Sequence, residues 1–144
     1  MTTVVTLNPQ VLGQAENAHR AMLDEILRSP AMTYHQWVGL TVAATAGDQV
    51  LLEQLIGRLT GALKTDIDTV RTTLAELTSG GLIDQDSTIV RVTELGRIRF
   101  GAVRSDIEAA MQQAYADIPA ADLATAGRVL AQVTAQLNAV LAVA

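Results

Sequence analysis

The sequence contains no cysteine. Disulfides, thiolate metal sites and cysteine-based redox sensing are therefore excluded. Aromatic residues are scarce, at 3%, so a core has to be assembled from small and aliphatic side chains, which suits close helix–helix packing. Long apolar runs are missing too. The longest weakly polar stretch, Trp37 to Gly47, is too short to cross a bilayer, which takes about 20 residues. The opening MTTVVTLNPQ lacks the basic flank and apolar centre of a signal peptide. A soluble, cytoplasmic protein with no membrane partner is expected. Catalytic signatures are also missing: there is no G-x-S-x-G, H-E-x-x-H or P-loop pattern. Two histidines beside Asp24 do not have diagnostic metal spacing. No enzyme activity, cofactor or metal is expected.

What is present is apolar. Hydrophobic residues make up 49% of the 144 positions and charged residues 17%, enough to fill a core and too apolar for disorder. The formal charge is −5 and the isoelectric point about 4.8. That balance argues against a protein that coats nucleic acid indiscriminately. A specific binder remains compatible with it, because the local field depends on where the charges sit.

The spacing predicts about six helices and one short hairpin. Asn8-Pro9 is a helix start, since Asn caps free N–H groups and Pro lacks one. Val11, Ala15, Ala18, Met22 and Ile26 then mark one face, and Ser29-Pro30 ends the helix. Thr33 to Gln36 fits a capping box opening a second helix through Trp37, Leu40 and Ala44, closed by Gly47. Asp48 is read as the cap of a third helix with Val50, Leu51, Leu55, Ile56 and Leu59 on its buried side. Gly61 and Lys64 mark the next turn. A fourth helix begins near Thr65 or Asp66, with Ile67, Val70, Leu74 and Leu77 inward, and stops at Gly80-Gly81.

Leu82–Gln85 and Thr88–Val92 flank Asp86-Ser87 as a hairpin. Thr93 caps a long fifth helix, and Pro119 separates it from a sixth that Asp122 helps to start. In that last helix Leu123, Leu130 and Leu137 recur every seven residues, and Ala126, Val133 and Val140 repeat the interval three positions on. A heptad pattern carried to the end of a chain suggests a seam between subunits, with Leu123, Leu130, Val133, Leu137 and Val140 as its dimer contacts.

Two helices, a turn, a hairpin and a long helix follow one another as in a winged helix-turn-helix. Specific segments sharpen this. Leu59, Leu63, Val70, Leu74, Leu77, Gly81, Leu82 and Ile83 resemble the core spacing of the MarR family of bacterial regulators. Val90-Arg91-Val92-Thr93-Glu94-Leu95-Gly96-Arg97 is similar to that family's V-x-L-T-x-x-G-R segment. Met32 to Trp37 is similar to its L-T-x-x-Q-W opening of helix two, and Ile118 to Leu123 to the start of its last helix. The likeness runs from about residue 8 to 143.

The resemblance implies a mainly α, winged helix-turn-helix fold over residues 1–144. Residues 8–47 and 97–144 would form a helical dimerisation region, and residues 48–96 the winged lobe. It also implies a homodimer joined by its first, fifth and sixth helices, a palindromic double-stranded DNA partner, and release by a small aromatic or anionic effector. On this reading the protein is a transcriptional repressor, associated with the nucleoid when bound to DNA. The expected DNA-contacting residues are Lys64, Thr65, Asp68, Thr69, Arg71, Thr72, Thr73 and Arg91. The expected effector pocket involves His19, Tyr34, His35 and Trp37.

Two features favour another reading, a winged-helix dimer with reduced or lost DNA binding that serves as a protein-interaction or ligand-binding module. The hairpin tip is short, and Arg91 is the only basic residue between Gly80 and Glu94. Over residues 48–100, Arg58, Lys64, Arg71, Arg91, Arg97 and Arg99 face Asp48, Glu53, Asp66, Asp68, Glu76, Asp84, Asp86 and Glu94, a net −2.

Overall fold

The computed structural model describes residues 4–144. The element order is α1 (Pro9–Arg28), α2 (Tyr34–Thr45), β1 (Val50–Leu51), α3 (Leu52–Leu63), α4 (Ile67–Ser79), β2 (Ile83–Gln85), β3 (Ile89–Val92), α5 (Glu94–Tyr115) and α6 (Ala120–Ala142). The chain divides into two compact units, Met1–Ile107 and Glu108–Ala144, with the division inside α5.

Local chemistry explains most of the helix ends. The Asn8 side chain accepts a hydrogen bond from the Val11 N–H at 2.8 Å, next to Pro9 at the first helical position. At α2 the capping box is complete: Gln36 N–H donates to Thr33 Oγ1, and Thr33 N–H donates to Gln36 Oε1, each at 3.1 Å. These two bonds satisfy two of the amides that every helix start leaves open. Thr93 closes the start of α5, with its hydroxyl accepting from Gly96 N–H at 3.0 Å and donating to Gly81 O at 2.6 Å. Gly81, with φ of 76°, carries the chain out of α4 in the left-handed region, where a side chain would be strained.

One element differs from expectation. Val50 and Leu51 do not begin the third helix; they form a short strand antiparallel to β3, with Val50 opposite Val90 and Leu51 opposite Ile89. The sheet order is β1-β3-β2. Asp48 is accordingly not the cap of α3, whose first turn follows Leu51 without a side-chain cap. Leu51 is also 47% exposed rather than buried. The reason is tertiary: Val50 N–H and C=O can pair only once β3 has come alongside, so a two-residue strand carries no periodicity of its own. The hairpin tip is likewise longer than the expected Asp86-Ser87. It spans residues 86–88, and the Asp86 carboxylate accepts from Thr88 and Ile89 N–H at 2.7 and 2.8 Å.

The core lies in the first unit. Leu27, Leu40, Leu55, Leu59, Val70, Leu74, Leu77, Ile83 and Val90 are fully buried, each contributing about 1.5–3 kcal/mol of apolar transfer. Gly39 lets α2 approach α4 closely: a Cβ there would lie 3.2 Å from Leu77 Cδ1 and 3.6 Å from Thr73 Cγ2. In the second unit, α6 has no buried residue among those described. Of its heptad positions Leu123 and Val133 are half-exposed, while Leu130, Leu137 and Val140 are exposed.

Candidate nucleic-acid interface

α4 is held as the second helix of a helix-turn-helix. The preceding turn is tight because Lys64 takes the left-handed conformation, φ 53°, and its N–H bonds back to Thr60 O. The Asp66 side chain then caps α4 by accepting from Thr69 N–H at 2.7 Å. That hydrogen bond, with a further one from the Thr69 hydroxyl, holds the Asp66 carboxyl below its ordinary value, because both favour the charged form. The inner stripe, Val70, Thr73, Leu74 and Leu77, is buried. Asp68, Arg71, Thr72 and Glu76 face solvent on the other side, with Thr69 half-buried between the two.

Thr73 is a correction. It was expected to face outward with Thr72, but it is 3% exposed. It stands three residues after Val70 and four before Leu77, which is the spacing of the apolar stripe. Its hydroxyl is satisfied internally by donating to Thr69 O at 3.0 Å. Lys64 is exposed at the turn, with Nζ donating to Gly61 O at 2.7 Å, and Thr65 beside it is half-buried.

Arg91 lies on the solvent side of the sheet. The strand registers place Val50 opposite Val90 and Asp84 opposite Arg91. One residue further along β1's approach, Gln49 meets Arg91 from the opposite side. Arg91 Nε and Nη2 both donate to Gln49 Oε1, at 3.1 and 3.0 Å. Arg97 Nη2 reaches Gly47 O at 3.3 Å, so two arginines distant in sequence grip the segment between α2 and β1. At the hairpin tip, the Thr88 and Ile89 amides hold the Asp86 carboxyl low, helped to a smaller extent by the Arg91 charge.

The expected effector residues separate. Tyr34 and His35 line an open groove of about 480 Å³ together with Arg20, Asp24, Thr69, Thr72 and Glu76. The Arg20 guanidinium carbon sits 3.6 Å from the Tyr34 ring centroid, a cation–π contact. Trp37 is a correction: it is 8% exposed and belongs to the core, stacked on Phe100. His19 also lies outside the groove lining; its Nδ1 is 2.7 Å from Ala15 O, one turn back on α1. Sequence reasoning missed Arg20, Asp24 and Glu76 as groove residues and Gln49 as the partner of Arg91. Arg20 and Asp24 share one face of α1 four residues apart, but no spacing ties that face to α2 or α4, or Gln49 to Arg91, since those contacts join different elements. Among the described residues there is no group of three or more metal-ligating side chains, and no helix is long and apolar enough to cross a membrane.

No protein-family model matches the sequence, and no curated protein matches it. Solved structures do match the fold. A MarR-family transcriptional regulator from Rhodococcus sp. RHA1 superposes with a TM-score of 0.75 at 16% identity, over 86% of this chain and 91% of that one. CouR from Rhodococcus jostii RHA1, solved with p-coumaroyl-CoA bound, gives 0.75 at 15% identity over 86% and 88%. NadR in complex with 4-hydroxyphenylacetate gives 0.73 at 17% identity over 93% and 98%. The winged helix-turn-helix fold expected from the sequence is the one these structures share.

Proposed function

Since the chain has the fold of the MarR-family regulators, we propose that it is a sequence-specific DNA-binding transcription regulator, a ligand-responsive repressor that binds a palindromic operator as a homodimer. The observation that carries this reading is the division of α4. Its inner stripe is consumed by the core, while Asp68, Arg71 and Thr72 stand free on a helix whose start is fixed by a tight turn and a side-chain cap. A rigid helix with a free polar face is what the major groove accepts. Arg71 would read a guanine edge, Thr69 and Thr72 a base edge or thymine methyl, and Lys64 and Thr65 the phosphate backbone at the turn. Arg91 would add a backbone or minor-groove contact from the wing.

The exposed face of α6 supports the homodimer. Leu130, Leu137, Val140 and Leu141 form an exposed apolar series on one helix, and a second copy of the same stripe covers it with knobs-into-holes packing. An effector would lie in the groove beside Tyr34 and His35. Relatives in fold were solved with p-coumaroyl-CoA and 4-hydroxyphenylacetate, and a small aromatic or anionic ligand suits a groove that carries a tyrosine ring and an arginine. Because Thr69 and Thr72 belong both to that groove and to the face of α4, occupancy there would compete with DNA contact.

A specific observation favours a second reading, a winged-helix dimer that has given up DNA and serves as an interaction or ligand-binding module. The stretch from residue 48 to 100 is net −2, and Arg71 is flanked on α4 by Asp68 and Glu76. Phosphate contacts supply most non-specific affinity, so a chain with this balance binds DNA weakly and only at low salt. Selection of bound sequences from random duplexes at low salt decides between the two. Recovery of a palindromic motif whose preference relaxes in Arg71→Ala supports the regulator. Recovery of no motif leaves the module.

A further inference from the structure

Arg91 is placed among three neighbours, two acidic and one neutral. Asp84 is its pairing partner on β2, Asp86 lies beyond at the hairpin tip, and Gln49 approaches along β1. Among the described residues the guanidinium hydrogen-bonds to Gln49 alone, with Nε–H and one Nη2–H converging on the same amide oxygen at 3.1 and 3.0 Å, while its charge acts on Asp86 from a distance. Among the described residues no carboxylate lies within salt-bridge distance of Arg91. A carboxylate in the place of Gln49 would fix the side chain and cancel its charge together. An amide oxygen fixes it and leaves the charge whole. Among the described residues, three of the five guanidinium N–H groups stay free for another acceptor.

The segment that carries Gln49 is itself anchored. Gly47, with φ of 117°, turns the chain after α2, Arg97 of α5 donates to its carbonyl, and Val50 is locked into the sheet opposite Val90. Gln49 is thus a fixed point across a sequence separation of 42 residues, and not a loop side chain that happens to be near.

We propose that Gln49 is the positioning residue of the wing: it holds the Arg91 guanidinium in one orientation with its charge intact, ready for a phosphate oxygen of a duplex. This inference rests on the DNA-binding reading. It assigns a role to a residue outside both the recognition helix and the hairpin. Gln49 acts through Arg91 and touches no nucleic acid itself. Removing it restores the freedom of a long side chain, which association must then order again, while the charge remains.

The test is a set of binding titrations of the full chain against a selected operator and a scrambled duplex, over a range of salt. Gln49→Ala weakens both duplexes by about two- to tenfold and leaves the salt slope unchanged. Arg91→Ala reduces the slope by about one. Gln49→Glu, which supplies a neutralising carboxylate, reproduces the slope of Arg91→Ala. The double variant Gln49→Ala with Arg91→Ala is no weaker than Arg91→Ala alone. In the free chain, the Arg91 Nε–H resonance exchanges slowly with water, and faster in Gln49→Ala. If the unmodified chain binds a selected operator but Gln49→Ala binds equally well, or the two alanine effects add, Gln49 does not act through Arg91 and the proposal falls while the DNA reading stands. If the unmodified chain binds no duplex at low salt, the DNA reading fails and this role fails with it, whatever the exchange rate of Arg91.

Discussion

The indole of Trp37 stacks on the ring of Phe100, with centroids 5.5 Å apart and planes inclined by 21°. The pair joins α2 to α5 inside the first unit and takes Trp37 out of the expected effector pocket, whose other residues Tyr34 and His35 line the open groove.

The lone tryptophan is therefore a reporter of the core. Its emission should be blue-shifted in the native chain and move to the red in a single step on urea unfolding. Trp37→Ala costs about 3–5 kcal/mol, as expected for emptying a buried aromatic site, and Trp37→Phe costs less because the stack is kept. Equilibrium denaturation followed by circular dichroism measures both. A cost near zero for the alanine variant would contradict the packing described.

Gly96 lies in the first turn of α5, against the Leu82 backbone that leaves α4. A Cβ at this position would collide with the Leu82 carbonyl oxygen, which is backbone and cannot rotate aside, and would lie 2.8 Å from Val92 Cγ1. Gly96→Ala should lose at least the roughly 1–3 kcal/mol of an overpacked site, visible as a lower thermal midpoint. Gly13→Ala is the control. Nothing lies within 4 Å of a Cβ there, and removing a helical glycine stabilises by about 0.5–1 kcal/mol.

Thr72 and Thr73 are neighbours in sequence and opposites in environment. Thr72→Val changes the sequence preference in a DNA selection and leaves the melting temperature nearly unchanged. Thr73→Val shows the reverse pattern, since it removes the bond to Thr69 O inside the core and leaves the outer face of α4 untouched. Identical selection profiles for Thr72→Val and the unmodified chain would exclude Thr72 from the contact surface.

Two carboxylates make stability depend on acid. Asp66 and Asp86 are held below their ordinary 3.8 by backbone amides of Thr69 and of Thr88 and Ile89. A folded-state pKa below the unfolded one stabilises above the unfolded value, and that contribution is lost as pH falls through the folded value. The chain should accordingly weaken as pH drops below about 3.8. The variant Asp66→Asn with Asp86→Asn keeps the hydrogen-bond acceptors without the titration, and its stability should vary less over that window. Parallel acid titrations of helical circular dichroism compare them; equal slopes would rule out these two groups as the source.

Leu130 lies in the exposed heptad series of α6. Leu130→Asp would place an unpaired charge in a subunit seam, at a cost of several kcal/mol. The expected result is a homodimer for the unmodified chain and dissociation for the variant, both by sedimentation velocity. A folded, stable monomer of the unmodified chain at micromolar concentration would remove the seam.

Much of the chain was decided locally. The Asn8 and Asp66 caps, the capping box of Thr33 and Gln36, the stop at Gly80-Gly81 and the heptads of α6 all depend on residues within one or two turns of each other. Their energies are set before any tertiary contact forms, and a reading of spacing alone finds them. The burial of Thr73 was also written in its spacing from Val70 and Leu77, even though its polarity suggested the opposite face. Tertiary structure decided the rest. Val50 becomes a strand because Val90 comes beside it from 40 residues away. Trp37 belongs to the core because Phe100 arrives from α5, and Gln49 finds Arg91 only through the sheet register. Arg20 meets Tyr34, and both share a groove with Thr72, because three helices converge there. Contacts of this kind leave no period in the sequence, since each partner's position depends on the path of all the chain between them.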